Sequence, residues 1–475
     1  MIEAPADGDV RSKKKKQIGC VQMVSTSLRV LLNGLTDMDI PDVMIDDITT
    51  DSRQVKPGSL FVAIVGENFD GNDFALQAIE KGAAAAVVSK GEGERLFKVS
   101  DTRDAYCQIA GNYRNQFSPL VAAVTGSVGK TTTKEMVAAI FSSFDSHTLK
   151  NFENRNNEIG LPETVFRMDG DTKLAVFEMG MSGLGEISRL SRCARPHAGI
   201  ITYIGVSHIE MLGSRENILK AKLEITDGMD EDGFVVINGD DPRLTGAVGR
   251  IPVKVYSCAI DNSEADVVAE DVSCRSLPSE FTIVDREHGR FKAMIPCSGI
   301  HNVRDALSAY TLATRLGFDP AKCAEALSNY EPSGMRQRFR KVRDMTVIED
   351  CYNAAPESME ASLRILSDMD CAGKRIAVLG DMLELGSVSE EAHRKNGSLA
   401  AELGVDAVLC YGEMSRLTAD CARAGGVKDV KHFEDKKDLA EYLTGIACSG
   451  DTILFKGSRG MALEDVMKIF YGDDK

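Results

Sequence analysis

Short apolar runs alternate with amphipathic stretches along most of the chain. The runs are rich in β-branched residues, which is typical of buried strands. The stretches between them place apolar residues three and four positions apart, which is typical of helices that pack on a core. Strands that alternate with helices usually form mostly parallel sheets with crossover helices, so the pattern predicts an α/β fold.

One of these runs, Val121–Val124, leads directly into a glycine-containing loop, and an amphipathic helix follows the loop. The loop residues are Thr125, Gly126, Ser127, Val128, Gly129, Lys130, Thr131 and Thr132. Glycines let backbone N–H groups close around phosphate oxygens, and the start of the helix adds the positive end of its dipole. The sequence therefore predicts a loop that binds the phosphates of ATP.

This loop is shorter than the common phosphate-loop pattern, because only Ser127 and Val128 separate its two glycines. Lys130 is expected to reach the outer phosphates, and Thr131 to offer its hydroxyl group to Mg²⁺. A glycine turn before an ordinary helix could look similar. The order of strand, glycines, lysine, hydroxyl residues and apolar helix favours the phosphate loop.

Two further polar residues follow predicted strands of the same sheet. Glu178 ends the run Leu174–Phe177, and His208 comes just beyond the run Gly199–Ile204. Ligands of parallel sheets bind at the carboxyl ends of the strands, so both side chains are expected beside the phosphate loop. A lone glutamate or histidine more often has a structural role, but this position favours metal ligands on phosphate oxygens.

The spacing of these patterns predicts three domains and a tail. We assign residues 1–22 to a disordered extension, 23–99 to a small α/β domain, 100–318 to the ATP-binding domain and 319–475 to a C-terminal domain. The C-terminal domain has the strand and helix rhythm of a Rossmann-like fold. Its first strand is not followed by the G-x-G-x-x-G pattern, so dinucleotide binding is not expected.

Composition narrows the possible partners. The 475 residues carry a formal net charge of −16, which argues against binding to nucleic acid or to an anionic membrane surface. No apolar run approaches the roughly 18–20 residues of a membrane span. The twelve cysteines show no C-x-x-C pair and no zinc spacing, which is typical of a reducing cytosol. These features predict a cytoplasmic protein without stable membrane association.

Taken together, the motifs resemble those of the Mur ligases, the ATP-dependent amino-acid ligases of peptidoglycan precursor synthesis. The general family marks are the segment 125–131, Glu178, His208 and the segment 221–225. More selective marks are the segments 156–160 (Asn-Asn-Glu-Ile-Gly), 352–354 (Tyr-Asn-Ala), 378–386 (Val-Leu-Gly-Asp-Met-Leu-Glu-Leu-Gly) and 456–461 (Lys-Gly-Ser-Arg-Gly-Met). The selective marks resemble the member of the family that joins D-alanyl-D-alanine to UDP-N-acetylmuramoyl-tripeptide.

The resemblance implies that the three domains bind the UDP-sugar, ATP and the amine substrate. It implies Mg²⁺, expected as two ions on Thr131, Glu178, His208 and Lys222, and it identifies Lys222 with the family's carbamylated lysine. The expected catalytic residues are Lys130, Lys222 and His208. ATP contacts are expected at Asn302, Arg336 and Asp350 as well as at the loop, and substrate contacts at Asp51, Ser52, Arg53, Asn156 and Asn157. Glu224, near Lys222, is expected to be solvated.

The sequence departs from the family pattern at three positions. Asn72 stands where the family has the histidine of an Asp-Gly-His-Asp turn, Asp305 where it has an asparagine, and Ala355 where it has an asparagine before Pro356. We expect these changes to affect individual contacts, especially adenine recognition near Asp305. The phosphate and metal positions are unchanged.

Four other functions are compatible with parts of this sequence pattern. The related ligase that adds the third residue of the peptide and folylpolyglutamate synthase share the ATP domain, but the segments 379–386 and 456–461 count against both. A phosphate-loop kinase would leave a stable phosphorylated product, and a nucleotide-dependent switch would hydrolyse ATP without response to the muramyl peptide. The sequence does not distinguish diaminopimelate from lysine at position three of the acceptor. A monomer is expected.

Overall fold

The computed structural model describes residues 23–66, 68–152, 154–275 and 277–472. The predicted extension 1–22 lies outside the described residues. The chain divides into two compact units: one contains the residues up to Phe117 together with Pro162–Gly170, and the other contains Ser118–Leu161 and Asp171–Lys475. The predicted limits of the three domains, at residues 99 and 318, remain predictions.

The first unit contains a two-stranded antiparallel sheet and a four-stranded parallel sheet in the order β3-β4-β5-β6. The strands are β1 (Thr26–Ser27), β2 (Met44–Ile45), β3 (Asp47–Thr49), β4 (Ser59–Val62), β5 (Ala85–Val88) and β6 (Leu96–Lys98). Phe61 and Ala86 of the parallel sheet pack with Ala75 and Ala78 of the following helix in one core cluster. The sequence pattern predicts a strand at 59–65, a helix at 74–81 and a strand at 83–88, and the structure has all three with shorter limits.

The second unit contains a nine-stranded sheet in the order β15-β14-β13-β12-β11-β10-β7-β9-β8. Its strands are β7 (Leu120–Thr125), β8 (Leu149–Lys150), β9 (Leu174–Glu178), β10 (Ala198–Ile201), β11 (Phe234–Asn238), β12 (Lys254–Ala259), β13 (Val267–Ser273), β14 (Ser279–Asp285) and β15 (Gly289–Ile295). β7 lies between β9 and β10 and pairs in parallel with both. The carboxyl ends of these three strands therefore lie side by side.

The same unit contains a six-stranded sheet in the order β16-β17-β21-β18-β19-β20. Its strands are β16 (Arg338–Val342), β17 (Met345–Asp350), β18 (Arg375–Gly380), β19 (Ala407–Tyr411), β20 (Asp429–Phe433) and β21 (Thr452–Lys456). All pairs except β16 with β17 are parallel. Both faces of this sheet are covered by apolar clusters, as a parallel sheet with crossover helices requires.

Helices follow most of the strands. They are α1 (Leu28–Leu31), α2 (Ala75–Glu80), α3 (Thr102–Arg114), α4 (Lys130–Phe144), α5 (Gly160–Val165), α6 (Glu186–Ala194), α7 (Ile209–Leu212), α8 (Arg215–Leu223), α9 (Pro242–Gly246), α10 (Ile300–Arg315), α11 (Pro320–Ala326), α12 (Pro356–Asp368), α13 (Ser389–Glu402), α14 (Ser415–Ala424), α15 (Lys436–Ile446) and α16 (Glu464–Tyr471). Within the described ranges, none of them has both the length and the apolar character needed to cross a bilayer.

The α/β fold class is confirmed. The apolar runs around the phosphate loop and in the C-terminal part predicted β7, β9, β10, β11, β18, β19 and β21 to within a few residues. The antiparallel strands β13 to β15 and the pair β16 and β17 were not predicted. β13, β15 and β16 have exposed positions, at which polar residues interrupt the apolar run that identifies a buried strand. β14 and β17 are mostly buried, but polar residues stand among their apolar ones as well.

Candidate active site

The predicted phosphate loop connects β7 to α4, at the carboxyl end of an inner strand of the nine-stranded sheet. Gly126 and Gly129 have φ values of +146° and +83°. A Cβ atom at Gly126 would lie 1.9 Å from Thr202 Oγ1, and one at Gly129 would lie 2.6 Å from Asp305 Oδ1. Both positions therefore require glycine for space as well as for conformation.

The polar side chains of the loop are tied to neighbouring strand ends. Thr125 Oγ1 donates a hydrogen bond of 2.8 Å to the carbonyl of Met179, and Ser127 Oγ accepts one of 2.9 Å from Gly205 N. Lys130 Nζ donates to the carbonyl oxygens of Gly126, at 2.8 Å, and of Ser127, at 3.2 Å. The ammonium group thus lies folded over the loop where phosphate oxygens are expected.

Burial lowers the pKa of Lys130, with a smaller lowering from the charge of Arg336 and a partly opposing effect from Glu178. A phosphate group would supply a counter-charge for a cation held in this position. The geometry and the electrostatics of the loop are both suited to a bound anion.

Glu178 ends β9 beside the loop and is 2% exposed. Thr131 Oγ1 donates to Glu178 Oε2 at 2.7 Å, and Asn156 Nδ2 donates to Glu178 Oε1 at 2.7 Å. A carboxylate fixed by two donors next to a threonine hydroxyl is an oxygen-rich arrangement of the kind that Mg²⁺ prefers. The structure therefore brings together Thr131, Glu178 and Asn156, which the sequence assigned to metal and substrate separately.

Asn157, predicted beside Asn156 as a substrate contact, points its side chain to the backbone. Asn157 Oδ1 accepts hydrogen bonds from the N–H groups of Ile159, at 3.2 Å, and Gly160, at 2.9 Å. These contacts fix the first turn of α5. Its predicted contact with substrate stays a prediction.

His208 precedes α7 and is in the left-handed conformation with a φ of +64°. Its Nδ1 lies 2.9 Å from Glu384 Oε2, in the loop after β18. Burial, with smaller contributions from the charges of Lys130 and Lys222, lowers the pKa of His208 to about 4. The ring is therefore neutral at pH 7, which is the form that binds metal ions.

Lys222 lies on α8 and is 1% exposed. Within the described part of the chain its ammonium group forms no hydrogen bond and no ion pair. Burial and the charge of Lys130 bring the pKa of Lys222 well below its ordinary value, against the opposing effect of Glu178, Glu186 and Glu224. This lowering favours the uncharged amine, which is the form that reacts with CO₂ in carbamylation.

Glu224 is not solvated, contrary to expectation. Its carboxylate accepts hydrogen bonds from the N–H groups of Gly185, at 2.8 Å, and Ser188, at 3.2 Å. These groups belong to the start of α6, where a carboxylate interacts favourably with the helix dipole. Lys220, on the same helix as Lys222, is exposed as predicted.

Among the residues that the structure describes, no three His, Cys, Asp or Glu side chains converge as metal ligands. The predicted set contains only two such residues, Glu178 and His208, together with a hydroxyl group and a lysine. The residues present fit Mg²⁺ through Thr131 and Glu178, and a carbamate on Lys222 would add the second carboxylate.

The remaining predicted ATP contacts line a cavity of about 730 Å³ that also includes the loop residues. Asn302 Nδ2 donates to Gln337 Oε1 at 2.5 Å, and the guanidinium of Arg336 stacks 3.7 Å from the centre of the Tyr352 ring. Asp350 forms an ion pair of 2.9 Å with Lys456. The structure brings all three predicted residues to the cavity that contains the phosphate loop.

Three residues of this region were not assigned a role from the sequence: Gln337, Glu384 and Lys456. Each contacts a predicted residue through the tertiary fold, as the contacts above show. Lys456 and Glu384 lie inside segments that were matched to the family, so the resemblance contained a signal for them. Gln337 had none.

The predicted UDP-binding residues Asp51, Ser52 and Arg53 belong to the first unit. They form a turn after β3, in which Arg53 Nη2 and Asp51 Oδ2 lie 2.8 Å apart. The Arg53 side chain is 85% exposed. Its hydrogen bond lowers the pKa of Asp51 to about 2.

Comparison with known proteins identifies the family of this chain. Models of the Mur ligase family match the chain at residues 44–144 (catalytic domain), 124–313 (middle domain) and 335–459 (glutamate ligase domain). A protein of Bacillus subtilis named UDP-N-acetylmuramoyl-tripeptide--D-alanyl-D-alanine ligase is 40% identical over 441 residues, which cover 91% of this chain and 95% of the relative. The chain belongs to the Mur ligase family.

Further comparisons support the same family assignment. A protein of the same name from Escherichia coli is 34% identical over 94% of this chain and 98% of its own length. A crystal structure of MurF from Acinetobacter baumannii superposes with a TM-score of 0.85 at 28% identity, covering 95% of this chain and all of that one. A MurF ligase from Thermotoga maritima in complex with ADP has a TM-score of 0.80 at 27% identity, over 89% and 96% of the two chains.

These comparisons confirm the predicted family and the predicted ligase class, with three domains of the Mur type.

Proposed function

We propose that this Mur ligase joins the amino group of D-alanyl-D-alanine to the free carboxyl group of UDP-N-acetylmuramoyl-tripeptide and converts ATP to ADP and phosphate. The observation that carries the proposal is the match, over nine-tenths of the chain, to relatives that bear the name of this reaction. The cavity supports it independently, because a phosphate loop and a fixed carboxylate lie together there.

The chemistry requires activation of the acceptor, since the oxygen of a free carboxylate is a poor leaving group. In the proposed first step, a carboxylate oxygen forms a bond to the γ-phosphorus of ATP and the bond to the β,γ-bridging oxygen breaks. The amine nitrogen then attacks the carbonyl carbon of this acyl phosphate. Phosphate leaves with the bonding electrons, and the nitrogen loses a proton as the amide forms.

The chain contributes mainly positioning and charge to these steps. The amides of the loop and Lys130 would hold the phosphates of ATP and offset the charge that develops on the transferred group. Asn302, Arg336 and Asp350 are assigned to the rest of the nucleotide. No residue is assigned as the base that accepts the proton of the amine.

Mg²⁺ ions held by Thr131, Glu178, His208 and carbamylated Lys222 would neutralise charge on the phosphate oxygens. Thr131 and Asn156 orient Glu178 for this role, and the contact with Glu384 orients His208. Support for the carbamate comes from the burial of Lys222, which lowers the pKa of its amine and so favours the uncharged form that reacts with CO₂. Asp51, Ser52 and Arg53 are assigned to the UDP end of the acceptor.

A phosphate-release assay tests the function. The protein is incubated with ATP, Mg²⁺ and UDP-muramyl-tripeptide containing either diaminopimelate or lysine, with and without D-alanyl-D-alanine. We expect phosphate release that requires both the peptide and the dipeptide, and a product whose mass equals that of the ligated pentapeptide. A stable phosphorylated peptide would indicate a kinase instead, and hydrolysis insensitive to the muramyl peptide would indicate a nucleotide switch.

The same assay determines whether the acceptor peptide contains diaminopimelate or lysine at position three. The cytoplasmic location and the monomeric state also remain part of the proposal.

A further inference from the structure

Asp305 lies on α10 against the phosphate loop, on the side where α10 packs on α4. Apolar residues of both helices, including Val303, Leu307 and Ile140, belong to the same core cluster. Asp305 is 7% exposed. Its Oδ1 lies where it would be 2.6 Å from a Cβ atom at Gly129, so the carboxyl group is in contact with the loop itself.

This carboxyl group has no counter-charge. Among the described residues Asp305 forms no ion pair. The adjacent cation, Arg304, is engaged by Asp240, whose Oδ2 lies 3.1 Å from both Nε and Nη2 of Arg304. An ionised carboxylate that is buried without a partner is costly, and such a group usually takes up a proton instead.

The other titratable groups that face Asp305 are uncharged. They are the thiols of Cys258 on β12 and Cys297 before α10, and the phenol of Tyr330 after α11. Burial raises the pKa of all three, for Cys258 to about 12. Burial also raises the pKa of Asp305 to about 8, against smaller lowering effects from the Thr133 hydroxyl and from Arg304.

One hydroxyl group lies close enough to Asp305 to affect its pKa. Thr133 lies on α4 and is fully buried. Its interaction with Asp305 lowers the pKa of the carboxyl group, but by less than burial raises it. The net effect of the surroundings therefore still favours the protonated form.

We propose that Asp305 is a positioning residue for the phosphate loop and acts in its protonated form, so that loss of this proton weakens the binding of nucleotide. The neutral carboxyl group has the shape and the donor and acceptor pair of the asparagine amide that stands here in the family pattern. Ionisation would place a negative charge against the loop that must hold phosphates. The proposal rests on nucleotide binding at this loop, as proposed above.

The first test measures the dissociation constant of ADP with saturating Mg²⁺ by calorimetry, between pH 6.5 and 9.5, for the native chain and for Asp305→Asn. At pH 7 we expect the two constants to agree within about threefold. Above pH 8 the affinity of the native chain should fall by up to about tenfold per pH unit relative to the variant, because one proton is coupled to binding. Asp420→Asn, which removes an exposed carboxylate paired with Arg423, is the matched control and should follow the native curve.

The second test needs no nucleotide. Asp305 binds its proton more tightly in the folded chain, with a pKa of about 8, than in the unfolded chain, with a pKa of about 3.9. The folded state therefore holds the extra proton between these values, and stability relative to Asp305→Asn should decrease as the pH rises from about 4 to about 8 and then level off. Urea unfolding at several pH values measures this difference.

Parallel ADP curves for the native chain and Asp305→Asn would overturn the proposal. So would a loss of more than about tenfold in ADP affinity for the variant at pH 7, since the charge would then be needed. Absence of ADP binding by the native chain at every pH would contradict the proposed nucleotide site instead. In that case a stability difference independent of pH would refute the protonated Asp305 separately.

Discussion

The phosphate loop and the Asp51–Arg53 turn are both predicted to hold phosphate groups, and they are built in opposite ways. The loop is enclosed by neighbouring strand ends, and burial lowers the pKa of Lys130. The turn is open, Arg53 is 85% exposed, and its contact with Asp51 already satisfies the guanidinium.

This difference in exposure determines how much each cation can contribute to binding and catalysis. A charge in an enclosed site acts through a low effective dielectric and has little water to compete with, whereas an exposed charge is screened. Substitutions in the loop should therefore affect the chemistry strongly, and substitutions in the turn should affect substrate binding weakly. Four variants test this ranking. They are given in order of decreasing effect on the reaction.

Lys130→Ala removes the cation of the loop. We expect ADP formation with both substrates to fall by about a thousandfold or more, because the charge on the transferred phosphoryl group loses its main protein partner. Coupled measurement of ADP gives the rate. Lys220→Ala, which removes an exposed lysine, should retain the native rate, and an undiminished rate for Lys130→Ala would refute the role of the loop.

Lys222→Ala removes the amine that we assign to a carbamate. We expect a nearly inactive enzyme that short carboxylic acids such as acetate or propionate restore in part, because they can supply the missing carboxylate. The rate of ADP formation is measured with and without the added acid. Full activity without any acid would contradict the carbamate, and Lys220→Ala again serves as the control.

Asn156→Ala leaves Glu178 Oε1 without its donor. We expect the concentration of Mg²⁺ needed for half-maximal ADP formation to rise by about 10- to 100-fold, the usual effect of removing a residue that orients a metal ligand. Titration of Mg²⁺ at saturating ATP measures it. Asn154→Ala changes an exposed asparagine of the same loop and should leave the titration unchanged, so equal curves for both variants would argue against the orienting role.

Arg53→Ala removes the exposed cation of the turn. We expect the KM for the UDP-muramyl-peptide to increase by less than about tenfold while kcat stays the same, since an exposed charge adds little and contributes equally to ground state and transition state. The KM of Arg53→Lys should lie between the KM of the native chain and that of Arg53→Ala. A large fall in kcat would contradict the proposed difference between loop and turn, because the turn would then contribute to the chemistry.

Sequence reasoning predicted local structure well where the signal lies within one stretch of the chain. The loop 125–132 was identified from strand, glycines, lysine and helix, because each of these signals is local in the chain. Glu178 was identified because the end of a buried strand can be read from the apolar run that precedes it.

The same reasoning failed where a partner comes from a distant element. The carboxylate of Glu224 was expected in water, but the fold brings the start of α6 to it. The contact of His208 with Glu384 joins residues 176 positions apart in the chain, and no spacing rule predicts it.

The sequence by itself determined the family, the α/β class and the phosphate loop, because these depend on residue type and on order along the chain. The folded structure set the pKa values of the buried side chains. Burial lowers the pKa of Lys222 and of His208 and raises the pKa of Asp305, relative to the values of these groups in water. Burial is a property of the packed elements around a residue, so only the folded chain assigns it.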